Sequence, residues 1–314
     1  MNKALIITTT SGFLSQFELN NVRLLQEKGY QVHYATNFGV PIYEVKDETL
    51  RNMGVVLHQI SIEKNPFKIK KNIWALRELI RIIDREAISV VHCHNPNGGV
   101  LGRLAAVLSK RKPFVVYTAH GFHFFQGAPV KNWLFYYPAE KVLAKFSDII
   151  ITINHEDYTR ADKFHYKKDG GAALIPGVGV DLEKFYPLKE DEVHERDTLR
   201  KNLGIPEHAF HIVSAGEINK NKNHRVVIEA IAKLARSDIY YSICGEGPNR
   251  KNLETEIKKY GLSDRVFLQG YRNDMPKIWR TADISVFPSL REGMGMAGLE
   301  AMASGIPLIA ADNR

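Results

Sequence analysis

Short apolar runs alternate with longer stretches whose apolar residues recur every three or four positions, and this continues along most of the chain. Runs at residues 5–9, 31–35, 55–60, 89–92, 114–118 and 149–153 predict buried strands. Residues 17–28, 73–83, 98–108 and 133–146 carry helical spacing, with Gly29 as a helix stop. Residues 189–197, KEDEVHERD, are charged and lack an apolar period, and so read as a linker or exposed turn. The alternation restarts with predicted strands at 210–214, 240–244, 266–268, 284–287 and 307–311, and helices at 225–234, 249–259 and 275–280. Strands alternating with helices predict an α/β chain of two Rossmann-like, doubly wound parallel-sheet domains, residues 1–187 and 188–314. Ligands of such sheets bind beyond the carboxyl ends of the strands. The polar and glycine-bearing segments there are 9–12, 92–97, 120–121, 216–223, 245–247 and 289–298.

Composition narrows the class without naming a chemistry. Hydrophobic residues make up 44% and charged residues 25%, as in a soluble globular protein. No apolar run reaches the roughly 18 residues of a membrane span. The N-terminal apolar run is too short for a signal peptide. Cys93 and Cys244 end predicted buried strands and read as thiols of a reducing cytoplasm, where the chain is expected. The net charge of +8 is uneven: residues 1–185 carry 24 Lys+Arg against 17 Asp+Glu, residues 186–314 carry 19 against 18. A basic first half suits an anionic partner (nucleic acid, an acidic membrane face or phosphate groups), while its basic residues, scattered rather than blocked into a tail, also fit a generic solvated surface; no nucleic-acid partner is expected. The aromatic segment 121–138 (GFHFFQGAPVKNWLFYYP) has two readings, core packing or a lipid-facing lip beside Lys131, Lys141 and Lys145.

The densest chemistry lies near the C-terminal end, ISVFPSLREGMGMAGLEAMASGIPLIAADNR. A predicted strand runs into Gly293, Gly295 and Gly298 and then a short helix that Gly305 stops. Glu292 and Glu300 bracket the glycines. Bare backbone N–H groups at a helix start suit a phosphate, and carboxylates accept hydrogen bonds from vicinal diols. Diphosphate plus diols describes a nucleotide-sugar. The same glycines also spell G-x-G-x-x-G with Asp312 beyond, a dinucleotide pattern, so a dinucleotide-dependent oxidoreductase is the competing reading. His92 and His94 share one strand face, but no further ligand at metal spacing completes a tetrahedral set.

The segment around Glu292, Gly293, Met294, Gly295 and Glu300, with Pro288-Ser289, Gly305 and Pro307 in register, resembles the signature of family 4 glycosyltransferases. The resemblance implies a retaining enzyme of GT-B type, two Rossmann-like domains facing a cleft. It implies an N-terminal acceptor domain and a C-terminal nucleotide-sugar domain, with no metal cofactor; no Asp-x-Asp motif occurs in the sequence. Glu292 would contact the donor sugar and Glu300 the ribose. Gly216 and Lys222 match the family's phosphate-binding segment, whereas Glu217 stands where the family has arginine; Lys220 or Arg291 would supply the missing charge. His120, after the predicted strand 114–118, would lie near the donor sugar. Gly12 would lie by the donor phosphate, and Gly245 in the turn near the base. The family resemblance implies a nucleotide-sugar donor, taken as a UDP-sugar, and likeness of HGFHFFQGAP and IPGVGVD to bacterial lipid-linked transferases implies a polyprenyl-diphosphate-linked saccharide acceptor; the basic, aromatic first half adds the expectation of a peripheral seat on the inner membrane face. Family members continue beyond Asp312-Asn313-Arg314, so the resemblance also implies a truncated second domain, with an inactive remnant as a further alternative.

Overall fold

The computed structural model describes residues 1–39, 47–292 and 294–312. Contacts divide the chain into two compact units, Met1–Val178 and Gly179–Arg314.

The first unit runs β1 (Asn2–Ile7), α1 (Phe13–Phe17), α2 (Leu19–Glu27), β2 (Tyr30–Thr36), α3 (Asp47–Asn52), β3 (Val56–Gln59), α4 (Ile69–Arg85) and β4 (Val90–His94). It continues with α5 (Pro96–Leu108), β5 (Phe114–Ala119), α6 (Val130–Ala144), β6 (Ile149–Thr152), α7 (His155–Ala161) and β7 (Gly171–Leu174). The seven strands form a parallel sheet in the order β3-β2-β1-β4-β5-β6-β7. Strand alternation places Leu5 and Ile7 in one core with Leu79, Ile83 and Val91, and Ile6 in the opposite core with Leu14, Val22 and Tyr34. A strand apolar on both faces needs helices on both, which is why the predicted run was continuous rather than alternating.

The second unit opens with a 3-10 turn (Glu190–Glu192) and α8 (Val193–Asn202). It proceeds through β8 (Phe210–Ala215), α9 (His224–Leu234), β9 (Ile239–Cys244), α10 (Arg250–Lys259), β10 (Val266–Gly270), α11 (Met275–Trp279), β11 (Ile284–Phe287), α12 (Met296–Ala303) and β12 (Leu308–Ala310). Its parallel sheet has the order β10-β9-β8-β11-β12. Ile212 and Val213 of β8 again feed separate cores.

Two local expectations change. The charged stretch expected as a linker forms the 3-10 turn and the start of α8. The helix is held from its later half, where Leu199 and Leu203 join the core and buried Arg200 donates to the Thr281 carbonyl at 3.1 Å. The helix expected over 17–28 is broken at Glu18, which separates α1 from α2.

Candidate functional site

In each sheet the strand order reverses at one point, between β1 and β4 in the first and between β8 and β11 in the second. Loops diverge there and leave room for a ligand. The second unit gathers most of the expected site at this point. Gly216 follows β8, Gly245 follows β9, and Glu292, Met294 and Gly295 follow β11; Gly293 lies outside the described residues.

The loops after β8 and β9 lie backbone to backbone. Ile218 N–H donates to the Glu246 carbonyl at 2.9 Å and Asn249 N–H to the Ile218 carbonyl at 2.9 Å. Gly245 has φ +154°, and a Cβ there would stand 2.0 Å from the Gly216 carbonyl oxygen. This close approach, rather than turn chemistry alone, demands glycine. The β8 loop is also tied to the loop after β11: Leu290 N–H donates to the Asn221 carbonyl at 2.8 Å, and the Asn221 amide to the Arg291 carbonyl at 2.8 Å.

That seam brings Lys222 to Glu292. The Lys222 Nζ lies 2.5 Å from Glu292 Oε1 and 5.1 Å from the centre of the Phe287 ring. Its alkyl chain runs over Gly216, where a Cβ would come within 3.0 Å of Cε. The lysine is therefore fixed by packing as well as by charge. Gly295 caps α12 at φ +73°, and Gly305 ends that helix at φ +77° with its N–H on the Met302 carbonyl. Glu300 sits on α12, half-buried; burial pushes its carboxyl up to about 7 while the Trp279 indole pulls it down. Glu217, at the family's arginine position, is exposed and accepts from the Asn219 amide at 2.9 Å. Lys220 lines a separate cavity of about 410 Å³ with Asn219, Asn223 and Asn249.

The first unit holds the other two expected residues. Gly12 caps α1 in the left-handed region at φ +80°. His120 follows β5 and lines a cavity of about 220 Å³ with Asn95, Tyr117, His123, Tyr136 and Glu140. Behind it stand β4 and α2. His94 Nδ1 lies 3.1 Å from His120 Nε2, and Glu18 Oε1 lies 3.4 Å from the former and 3.8 Å from the latter. Burial holds His120 down to about 4 and pushes Glu18 up to about 7. Sequence spacing placed His92 and His94 on one face, and their rings are 4.2 Å apart. It gave no sign of Glu18, which reaches His94 from 76 positions away in the chain. Among the described residues Glu18, His94 and His120 are the one group whose metal-type ligand atoms lie within 4.8 Å of one another. Two of those atoms, His94 Nδ1 and His120 Nε2, face each other at hydrogen-bond distance. Both cysteines are free and buried, and burial pushes each thiol up to about 12.

Residues 195–314 match the family model of glycosyl transferases group 1, and residues 4–154 match that of glycosyl transferase 4-like proteins. The chain is 39% identical to EpsD of Bacillus subtilis (strain 168) over 315 aligned residues, 99% of this chain and 79% of that protein. It is 30% identical, over 94% of its length and 75% of the relative's, to an Escherichia coli UDP-Gal:alpha-D-GlcNAc-diphosphoundecaprenol alpha-1,3-galactosyltransferase. Among solved structures, Anabaena HepE in complex with UDP and glucose superposes with a TM-score of 0.78 at 17% identity, covering 100% of this chain and 81% of that one. WaaG, a glycosyltransferase of lipopolysaccharide biosynthesis, gives 0.70 at 17% identity, covering 98% and 80%. The expected truncation of the second domain draws no support from these matches. The oxidoreductase reading of the glycine loop is overturned by them, since both units fall in glycosyltransferase families. With two parallel sheets of GT-B type, matched family models over both units and a relative at 39% identity, the chain belongs to the group 1, family 4-like glycosyltransferases.

Proposed function

We propose that this glycosyltransferase moves a hexosyl or N-acetylhexosaminyl group, with retention, from a UDP-sugar to a polyprenyl-diphosphate-linked saccharide during envelope or capsule polysaccharide assembly. The observation that carries the donor reading is the pairing of Lys222 with Glu292 across two glycine-bearing loops at strand ends, with Glu300 on the helix that follows the second loop. In the free protein Glu292 neutralises Lys222; a donor diphosphate would compete for that cation and release the carboxylate toward sugar hydroxyls. The leaving diphosphate is then stabilised by a positioned charge while the acceptor attacks the same face, and no protein nucleophile is needed. The HepE complex with UDP and the Escherichia coli relative's lipid-linked substrate support this assignment. The reaction test pairs UDP-galactose, UDP-glucose and UDP-N-acetylglucosamine with undecaprenyl-diphosphate N-acetylglucosamine. A glycolipid of unchanged anomeric configuration is expected by mass spectrometry and NMR; no product from any pairing refutes the reading.

Glu300 gives the donor reading a pH signature. The ionised carboxylate offers both oxygens as strong acceptors to the ribose hydroxyls, whereas protonation turns one of them into a donor. Burial raises its pKa to about 7, so the charged form dominates above that value and is lost as pH falls through it. UDP affinity should weaken from pH 8 to pH 6 in the wild type, beyond the change that UDP itself shows with Glu300→Gln. Glu300→Ala should cost roughly ten- to hundred-fold in affinity at pH 8, the worth of a charge-assisted hydrogen bond of about 1.5–3 kcal/mol. Calorimetry showing full affinity in a folded Glu300→Ala protein removes Glu300 from the site.

The acceptor reading rests on α6. Its Trp133 and Tyr137 pack on the core while Val130, Leu134, Phe135 and Val142 stand on an exposed face with Lys131, Lys141 and Lys145. The aromatic segment divides between core and surface: Phe122 and Phe124 are core, and Phe135 is 74% exposed. No helix among the described residues is long and apolar enough to cross a membrane. An apolar face edged with lysine instead suits the surface of an anionic bilayer. The chain should sediment with anionic vesicles, release as salt rises, and bind about tenfold more weakly as Phe135→Asp. Equal binding to neutral vesicles would contradict a charge-assisted seat.

A further inference from the structure

Glu18 has no part in the donor chemistry, yet its carboxylate is built into the back of the His120 cluster. It is 1% exposed and its Oε1 has no hydrogen-bond partner. A buried carboxylate so placed is costly unless something exchanges a proton or a charge with it. Oε2 accepts from the Asn21 amide on α2, which leaves Oε1 aimed at two imidazoles. Those are His94 of β4 and His120 after β5, with His92 beyond His94; Phe13 packs on both of the nearer rings, at 5.7 and 5.2 Å. His94 Nε2 is buried without a partner, so its proton belongs on Nδ1, the nitrogen that faces both neighbours.

The triangle has two proton arrangements. With Glu18 ionised, His94 Nδ1–H and His120 Nε2–H both aim at Oε1, and His120 Nδ1 is left as a bare acceptor. With Glu18 protonated, His94 Nδ1–H donates to a bare His120 Nε2, the 3.1 Å contact observed, and His120 carries its proton on Nδ1. The state of one buried carboxyl thus decides what His120 offers to the 220 Å³ cavity that it lines.

Building on the transferase reading above, we propose that Glu18 is a positioning residue that sets the tautomer of His120 and takes up, across that ring, the proton of an acceptor hydroxyl held in the cavity. The bonds balance. The hydroxyl O–H breaks as an N–H forms at His120 Nδ1, and the Nε2–H breaks as an O–H forms at Glu18 Oε1. The hydroxyl oxygen supplies the electron pair of the new glycosidic bond, and the departing diphosphate keeps the pair of the old one. The imidazole begins and ends neutral. That suits its surroundings, since burial holds His120 down to about 4 and disfavours an imidazolium, whereas burial pushes Glu18 up to about 7, where it can accept a proton near neutral pH. The Asn21 amide opposes that shift.

The test reads the imidazole nitrogens directly. The full chain with 15N-labelled histidine is titrated from pH 5 to 9, with His120 assigned from a His120→Gln sample. His120 should cross between tautomer limits with a midpoint near 7, and the inflection should vanish in Glu18→Gln. Identical His120 titrations in both proteins overturn the proposal. If Glu18→Gln does not fold, Asn21→Ala decides: losing the amide that lowers Glu18 should move the midpoint upward, and an unmoved midpoint is fatal. Stoichiometric zinc in the purified chain, lost in His94→Ala, would make the cluster a metal site and also overturn it. UDP binding is measured on the same samples. An intact Glu18-dependent inflection in a protein that binds no UDP would count against the donor reading alone.

Discussion

Lys222→Ala is expected to abolish measurable sugar transfer, a loss of about a hundred- to a thousandfold in kcat, the range seen when one positioned stabilising group is removed. Two effects act in the same direction. The first is loss of the cation meant for the leaving diphosphate. The second is release of Glu292, whose Oε1 sits 2.5 Å from the lysine in the free protein and would be left as an uncompensated anion facing an anionic donor. Coupling between them is testable. Glu292→Gln in the Lys222→Ala background should recover part of the UDP affinity, because it removes the repulsion without restoring the cation. Lys222→Arg should not restore the full rate, since the lysine stem is seated over Gly216 and Phe287 and a planar guanidinium places its charge differently from a point ammonium. Turnover of Lys222→Ala within tenfold of wild type would take Lys222 out of the reaction.

Much of this unit was legible in the chain, and the reasons are local. β8, β9 and β11 are short apolar runs, and each is followed by glycine or polar residues that the backbone itself requires. Lys222 and Glu292 could be marked separately, but not their pairing, which depends on the Asn221 seam between two loops 70 positions apart. Other elements escaped because their stabilisation is tertiary. β7 is Gly171-Ala-Ala-Leu174, too small and unbranched to signal a strand, and exists through pairing with β6. α8 begins in a charged stretch and is fixed by Leu199, Arg200 and Leu203 further on. Glu18 was invisible for a different reason. A carboxylate between Phe17 and Leu19 looks like a solvent-facing position in an amphipathic helix, and only the break between α1 and α2 turns it inward. The family resemblance supplied His120; nothing local could supply what stands behind it.

The largest expected loss of stability lies in the first unit, at Arg103. This guanidinium on α5 is fully buried, with Nη1 2.8 Å from Glu140 Oε2 of α6, Nε donating to the Gly99 carbonyl at 2.8 Å, and its plane 4.2 Å from the centre of the Tyr117 ring. A buried ion pair adds little over apolar residues of the same volume, because desolvation offsets the attraction. Breaking it from one side is another matter, since it leaves the buried Glu140 side chain without its cation. Arg103→Met is therefore expected to destabilise the first unit by about 3–5 kcal/mol. Arg103→Met with Glu140→Leu should recover most of that loss, as two apolar side chains then fill the space. Urea unfolding followed by the fluorescence of Trp74 and Trp133, both in the first unit, measures the difference. The stability of Glu140→Leu alone completes the cycle and isolates the pair's coupling. If Arg103→Met and the double variant lose the same amount, the cost comes from the packing of the arginine stem against Tyr117 and not from the stranded carboxylate.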